Sequence, residues 1–275
     1  MKITHKMKQC TPLVLLIFLF SCNLDTNKDL QIDQSFEGEE AYWVSKTLDE
    51  HIYLPFYDFS VYANVAFTDS LPGCPTISID SEQYIVTIDY DTPNCEDGST
   101  DRQGKLQIQY SSISNNINST IKITYDGYQT SNTTIEGFRF FQVTNKTASE
   151  LLLQENADSL LLIDENESST KLVLDLVHGG KIRNNSLTEL NISGSLTGRN
   201  WGGNQIEATI LKPKIINQAC ISQLGFYAVS GEERWTFTRS ENTQVTHQLN
   251  YSNTEGCETT TTIKLAEGVT MIKQP

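Results

Sequence analysis

The sequence predicts a mainly β protein: an antiparallel meander forming a sandwich or a curled sheet, with a short N-terminal helix after a flexible tether. Three observations carry that prediction. Long runs repeat with a period of two, turn-forming residues separate them at short intervals, and Asn, Thr and Ser are abundant while Ala is scarce. Tyr84, Val86, Ile88 and Tyr90 alternate with Ile85, Thr87 and Asp89. Leu106, Ile108 and Tyr110 repeat the pattern, as do Leu172, Leu174 and Leu176, then Leu190, Ile192 and Leu196, then Ile206, Ala208 and Ile210. Such spacing sends one face of each strand into a core and the other into water. Turn signals at 164–169, 198–203 and 230–233 divide the runs, and the two strands flanking 198–203 read as one long hairpin. The runs imply about a dozen strands on short connections.

The element before the strands is aromatic. Tyr42, Trp43, Tyr53, Phe56, Tyr57, Phe59 and Tyr62 fall within 41–68, and Phe56, Phe59 and Ala63 follow Pro55 at helical spacing. This predicts a short amphipathic helix over the sheet, a packed lid rather than a ligand platform. There is also an internal echo. Residues 87–95 and 247–257 each end a strand on tyrosine, place a cysteine five or six residues later, and resume an alternating strand.

The first residues are basic and free of acids, and an apolar run from Leu13 to Phe20 leads to Ser21-Cys22. That run is too short to span a bilayer, which takes about 20 apolar residues. It reads as an export signal over 1–21. Leu19-Phe20-Ser21-Cys22 resembles the lipobox of bacterial lipoproteins, with a bulkier residue than usual at Phe20. Cys22 is the expected lipidation site, and two or more acyl chains there anchor stably to a membrane. Residues 22–40 are polar and acidic, the composition of a tether, and 41–275 are expected to form the β-rich domain.

Removing the leader leaves 17 of the 20 basic residues against all 34 acidic ones, a formal charge of −17. Nucleic acid is excluded as a partner class, because its binding draws on Lys and Arg. The charge equally disfavours a domain lying flat on anionic lipid. Four cysteines remain beyond Cys10 and Cys22: Cys74, Cys95, Cys220 and Cys257. In an oxidising compartment an even number reads as disulfides. Cys74–Cys95 and Cys220–Cys257 are the favoured pairs, since each brackets a similar run of strands. A zinc site is disfavoured, because no pair has close Cys-x-x-Cys spacing.

Candidate chemistry is sparse. The sequence requires no cofactor. Asp89, Asp91, Glu96, Asp97 and Asp101 crowd one loop, and hard oxygen ligands suit calcium, although Pro93 and Asn94 break the EF-hand pattern and a solvated hairpin loop is the favoured reading. Among the histidines, His247 reads as a core-edge residue and His178, before Gly179-Gly180, as a strand end. No Gly-x-Ser-x-Gly elbow occurs. Trp201, in a glycine-bounded loop, could stack on a sugar ring, though folding over its own hairpin is the stronger expectation. No catalytic residue is assigned. The expected function is a cell-envelope lipoprotein acting as a non-catalytic binding or scaffolding module for a glycan or protein partner. The alternative is an envelope-anchored hydrolase of polysaccharide or peptide using paired carboxylates.

Three stretches together carry a family resemblance. They are Ile88-Asp89-Tyr90 leading to Cys95, Asp97-Gly98 and Gly104-Lys105; then Ile123-Thr124, Ile135-Glu136-Gly137 and Val143-Thr144-Asn145; then Ile192-Ser193-Gly194 with Cys220 and Cys257. Over most of 74–265 the chain resembles uncharacterised Bacteroidetes β-rich lipoproteins. It departs from their aspartate-glycine-arginine loop, since Ser99 follows Asp97-Gly98 and Arg102 stands further on. The resemblance implies a β-rich lipoprotein of the cell envelope and no transferable activity; the expected location is the outer membrane, facing either the periplasm or the exterior.

Overall fold

A computed structural model of the protein describes residues 34–68, 70–92, 102–184, 186–220, 227–253 and 257–274. The expected signal, Cys22, the tether up to residue 33, Cys95, Glu96, Asp97 and Asp101 lie outside the described residues. The β expectation holds. An N-terminal helix α1 (Gln34–Asp49) precedes fourteen strands. The first six are β1 (Thr76–Asp80), β2 (Ile85–Asp89), β3 (Arg102–Tyr110), β4 (Thr120–Thr130), β5 (Thr133–Glu136) and β6 (Phe138–Lys146). Four long strands follow: β7 (Glu150–Ile163), β8 (Ser169–Arg183), β9 (Ser186–Arg199) and β10 (Gln205–Asn217). The last are β11 (Ser230–Ser240), β12 (Thr243–Asn253), β13 (Thr259–Lys264) and β14 (Thr270–Lys273).

All fourteen belong to one antiparallel sheet in nearly sequential order, so the curled sheet is realised rather than the sandwich. β5 and β6 share one place between β4 and β7, interrupted at Gly137. There φ is +105°, and an added Cβ would lie 2.8 Å from the Ser159 carbonyl oxygen, so only glycine fits. Most of the predicted inward residues are buried, among them Val86, Ile88 and Tyr90; Leu106, Ile108 and Tyr110; Leu172, Leu174 and Leu176; Tyr84, which precedes β2, is instead exposed, and Ile210, at the β10 irregularity, is half-buried. The curl follows from the helix. Gly38, near the start of α1, abuts Met271 of β14, and Glu50, just past its end, pairs with Arg102 of β3. Those strands stand ten positions apart in the sheet order, about 48 Å if the sheet were flat. Twelve residues of helix span only about 18 Å. The sheet must bend around α1 for both contacts to exist.

Four expectations need correction. Residues 34–40 are not tether: α1 begins at Gln34, Glu37 and Glu40 are buried, and one compact unit runs from Ser35 to Pro275. The predicted amphipathic helix after Pro55 is two short 3-10 turns, Leu54–Phe56 and Phe59–Ala63, parted by extended Tyr57 and Asp58. The Asn115 amide takes the Pro55 and Tyr57 carbonyls that an α-helix would have used internally. Residues 230–233 open β11 rather than forming a turn. His178 is no strand end; β8 continues through Gly179-Gly180 to Arg183, and the imidazole is buried. His247 is likewise fully buried.

Below α1 the core is not purely apolar. Arg139, Glu155 and His178 point inward from the adjacent strands β6, β7 and β8. The Arg139 guanidinium donates to Glu155 Oε2 at 2.9 Å and to the Leu48 carbonyl of α1 at 2.7 Å. His178 Nε2 lies 2.7 Å from Glu155 Oε2. Burial would raise the Glu155 pKa, but Arg139 and His178 outweigh it and bring it down to about 2. Burial pushes the His178 pKa below its ordinary value.

The disulfide Cys220–Cys257 ties the segment after β10 to the segment before β13. Cys74 is also disulfide-bonded, and its expected partner Cys95 lies outside the described residues.

Two outcomes follow. A Cys220→Ser, Cys257→Ser double variant frees a link across 37 residues and is expected to lose about 4 kcal/mol of unfolding free energy in denaturant titration. Glu155, with its folded pKa below the ordinary 4.5, contributes stability that is present above pH 4.5 and lost as pH falls towards 2. Unfolding measured from pH 7 to 2 should show about 3 kcal/mol of acid loss that Glu155→Gln does not share.

Candidate functional site

α1 has little amphipathic order because it is polar on several sides. Ala41, Val44 and Leu48 face the core, yet so do Glu37, Glu40, Ser45 and Asp49. Each buried polar group has a partner from the sheet. Arg239 holds Glu37 with two parallel bonds of 2.9 and 2.7 Å, and His247 Nε2 stands 3.2 Å away. Burial would raise the Glu37 pKa, but these partners bring it below its ordinary value. Lys214 Nζ lies 2.6 Å from Asp49, 3.1 Å from Glu233 and 2.7 Å from Ser45 Oγ. Burial pushes Asp49 up to about 6 against the pull of Lys214. Lys214 itself is held above its ordinary value despite burial, because Asp49 and Glu233 together favour the ammonium.

Local sequence explains how a lysine enters the core. The pairing of β10 slips on both sides between Thr209 and Ile215, where Pro213 has no N–H to give to a ladder. The strand bows out there, leaving Leu211, Lys212 and Pro213 exposed while Lys214 turns inward. A residual cavity of about 20 Å³ lies beside it, between α1 and Ala208, Ile210 and Trp235.

The outward stripe of α1 forms a different environment. Glu39, Tyr42, Trp43, Lys46 and Glu50 line an open cleft of about 380 Å³, closed on its flanks by Ser131 and Thr133, by Trp201 and by Lys273. Three distant parts of the sheet therefore meet on the helix: the β4–β5 turn, the β9–β10 turn and β14. The Trp43 and Trp201 rings lie 5.2 Å apart and tilted by 56°. Trp43 Nε1 donates to Thr133 Oγ1 at 2.7 Å. Trp201 sits in a turn closed by Asn200, which bonds Gly203 N and Asn204 N. Its own backbone N–H donates to Glu40 Oε1 at 3.0 Å, and Thr170 donates to the same oxygen at 2.6 Å. The Trp201 indole N–H is buried without a partner. Burial raises the Glu40 pKa.

The rim carboxylates and Lys273 are already ion-paired within the chain, and Lys46 meets an aromatic ring. Lys273 Nζ meets Glu39 at 2.7 Å, Lys46 lies over the Tyr227 ring at 5.1 Å, and Glu50 binds Arg102 and Thr130. Glu39 on α1 and Glu50 just past its end stand eleven residues apart, about 16 Å at helical rise, wider than the roughly 5–9.5 Å that flanking acids use in glycoside hydrolysis. The close carboxylate pair, Asp49 and Glu233, is buried on Lys214.

The structure thus places the predicted residues apart. Trp201 lies over Trp43 of α1 rather than over its own hairpin, and it lines the cleft. Tyr42 and Trp43, expected only as parts of a packed lid, line it too. Asp89 pairs with Lys105 at 2.9 Å and also accepts from the Asp91 backbone, while Asp91 accepts from Gly104 N at 2.7 Å. Among the described residues no group of three His, Cys, Asp or Glu is gathered to hold a metal ion. No helix among them is long and apolar enough to cross a membrane, which leaves strands unaddressed. Comparison with known proteins returns no matching family model, no matching curated protein and no matching solved structure.

Glu40 joins the buried side of α1 to the cleft. Glu40→Ala strips the Trp201 N–H and Thr170 of their acceptor and is expected to cost about 1–3 kcal/mol in thermal or denaturant unfolding. The Trp201 turn should loosen with it, read as faster amide exchange at 200–204.

Proposed function

We propose that this chain is a cell-envelope lipoprotein, anchored through acyl groups on Cys22, whose β-rich domain is a non-catalytic module that binds a glycan. The anchor reading is supported by the basic leader, its short apolar run and the lipobox-like Leu19-Phe20-Ser21-Cys22. An outer-membrane site suits that signal, and the resemblance to Bacteroidetes lipoproteins supports the same address.

One observation carries the binding reading: Tyr42, Trp43 and Trp201 converge on one open cleft whose carboxylates, Glu39 and Glu50, are already ion-paired with Lys273 and Arg102. Indole and phenol faces pack against the apolar C–H face of a sugar ring, while hydroxyls at the rim exchange hydrogen bonds with its edge. Ser131, exposed in the β4–β5 turn, supplies such a hydroxyl. A ligand charge placed at Glu39, Lys273 or Glu50 would have to break the Lys273–Glu39 or Glu50–Arg102 pair, so a saccharide uncharged at those positions is favoured.

The test is titration calorimetry with pooled neutral oligosaccharides, with thermal unfolding run in parallel. The wild type is expected to bind. Trp201→Ala and Tyr42→Ala should each weaken binding about tenfold or more while Trp201→Phe retains most of it. Absence of binding by the wild type, or affinity that Trp201→Ala and Tyr42→Ala leave intact, would reject the cleft as the site. A parallel loss of stability and affinity in Trp201→Ala that Tyr42→Ala does not share would assign Trp201 to packing.

A further inference from the structure

Lys214 is a costly residue to bury. It is 2 % exposed, and the two carboxylates beside it, Asp49 at the end of α1 and Glu233 on β11, are 4 % exposed each. A buried ion pair adds little net stability, and a second carboxylate on one ammonium leaves a net negative charge in the core. Local structure nevertheless brings the three groups together. Pro213 bows β10 so that Lys214 turns inward. On β11 Gly231, at φ +138°, lets the strands approach: an added Cβ there would lie 2.8 Å from Lys214 Cα and 3.1 Å from its Cγ. The two acids meet Lys214 differently. Asp49 presents Oδ2 to Nζ at 2.6 Å. Glu233 presents Oε1 at 3.1 Å, while its Oε2 is fixed by the Trp235 indole N–H at 2.8 Å. Ser45 Oγ accepts from Nζ at 2.7 Å and lies 2.8 Å from Glu233 Oε1, to which it donates.

We propose that Lys214 and Asp49 join in an intramolecular isopeptide bond, with Glu233 carrying the proton, so that α1 is covalently fastened to β10. Moving one proton from Nζ to Asp49 turns the ion pair into a neutral amine and a neutral acid. That exchange leaves the total charge unchanged, and an apolar core favours its products. The ammonium is the resting form of Lys214, and burial pushes Asp49 up to about 6, which brings its acid form within reach. The bond draws off the neutral pair as it arises. The Nζ lone pair attacks Asp49 Cγ, which stands one carboxylate bond beyond the oxygen at 2.6 Å. A small swing of the amine reaches the roughly 3–3.5 Å of a near-attack pair. Glu233 takes a proton from the attacking nitrogen and returns it to the Asp49 hydroxyl, which leaves as water. One N–C bond forms, one C–O bond breaks, and no oxidant or further reactant is needed. The adjoining cavity of about 20 Å³ has room for the released water, and Leu176, Ile192 and Trp235 in its wall keep bulk water from reversing the step. The bond is independent of the glycan reading, because the cluster lies on the buried side of α1.

The test is intact-mass analysis of the full chain, reduced and denatured, followed by peptide mapping. The wild type is expected to weigh one water less, about 18 Da, than a Lys214→Arg variant once the substitution itself is subtracted. Processing at the N-terminus is common to both chains and cancels. The missing water should map to a branched peptide that carries Asp49 and Lys214. Glu233→Gln, with its fold verified by circular dichroism, keeps nucleophile and acceptor but lacks the proton carrier. It is expected to link at least about a hundredfold more slowly. The wild type decides the bond by itself, since its mass is read on the unfolded chain and needs no variant to fold. Wild type at its full mass would leave a plain ion pair and overturn the proposal, as would a water loss that maps to any other residue. Linking of Glu233→Gln at the wild-type rate would overturn the role given to Glu233.

Discussion

The fold depends on how charge on α1 is satisfied. A helix that buries three carboxylates is untenable by itself, because an unpaired ionised carboxylate in a core costs several kcal/mol. Here Glu37 finds Arg239 on β11, Asp49 finds Lys214 on β10, and Glu40 finds Thr170 on β8 and the Trp201 backbone beyond β9. Just past the helix, Glu50 finds Arg102 on β3. Buried ion pairs contribute little net stability, since desolvation offsets their attraction. Their effect is on alignment: a helix shifted by one residue would rotate by about 100° and strand every one of these charges. The sheet supplies a different strand for each partner, so the pairs also specify the curl.

Packing supports the same alignment. Gly38 costs about 1 kcal/mol of helix propensity relative to alanine, yet any side chain there would strike Leu265. The bulge at Pro213 interrupts the ladder so that Lys214 can reach Asp49, Glu233 and Ser45 at once. Both features are local sacrifices whose benefit appears only where the helix meets the sheet.

That explains what could be read from the residues and what could not. Alternation in a strand is a local signal, so Val86 and Ile88, Leu106 and Ile108, and the three leucines of β8 announced their inward face, and the pairing of Cys220 with Cys257 followed from the strands they bracket. The length of α1 had no such signal. Gln-Ser-Phe-Glu-Gly-Glu-Glu is tether composition until Arg239 and Thr170, more than a hundred residues away, are folded against it. Gly179-Gly180 likewise reads as a strand end, yet the space beside Gly180 is filled by Phe56, 2.5 Å from where its Cβ would stand. Trp201 was legible as an unusual residue through its flanking glycines, but its neighbour Trp43 lies in a segment whose aromatics are mostly core. Only the three-dimensional convergence on the exposed stripe of α1 separates Tyr42 and Trp43 from Tyr53, Phe56 and Tyr62, which are buried.

The cleft and the core are therefore one construction. A sheet curled around a helix covers the side that carries the anchoring charges and leaves the opposite stripe uncovered, where strands far apart in order come together. Glu40 spans the two: its buried carboxylate is held by Thr170 and in turn holds the Trp201 backbone. The position of Trp201 is thus set by the docking of α1, and Trp43 is set by Thr133 across the cleft. Aromatic walls fixed in this way lose little freedom when a ligand enters, which favours recognition by a preformed surface over closure around the ligand. The glycines of the Trp201 turn close that turn without covering the indole, so the face that meets Trp43 stays at the edge of the cleft instead of being folded into the hairpin that carries it.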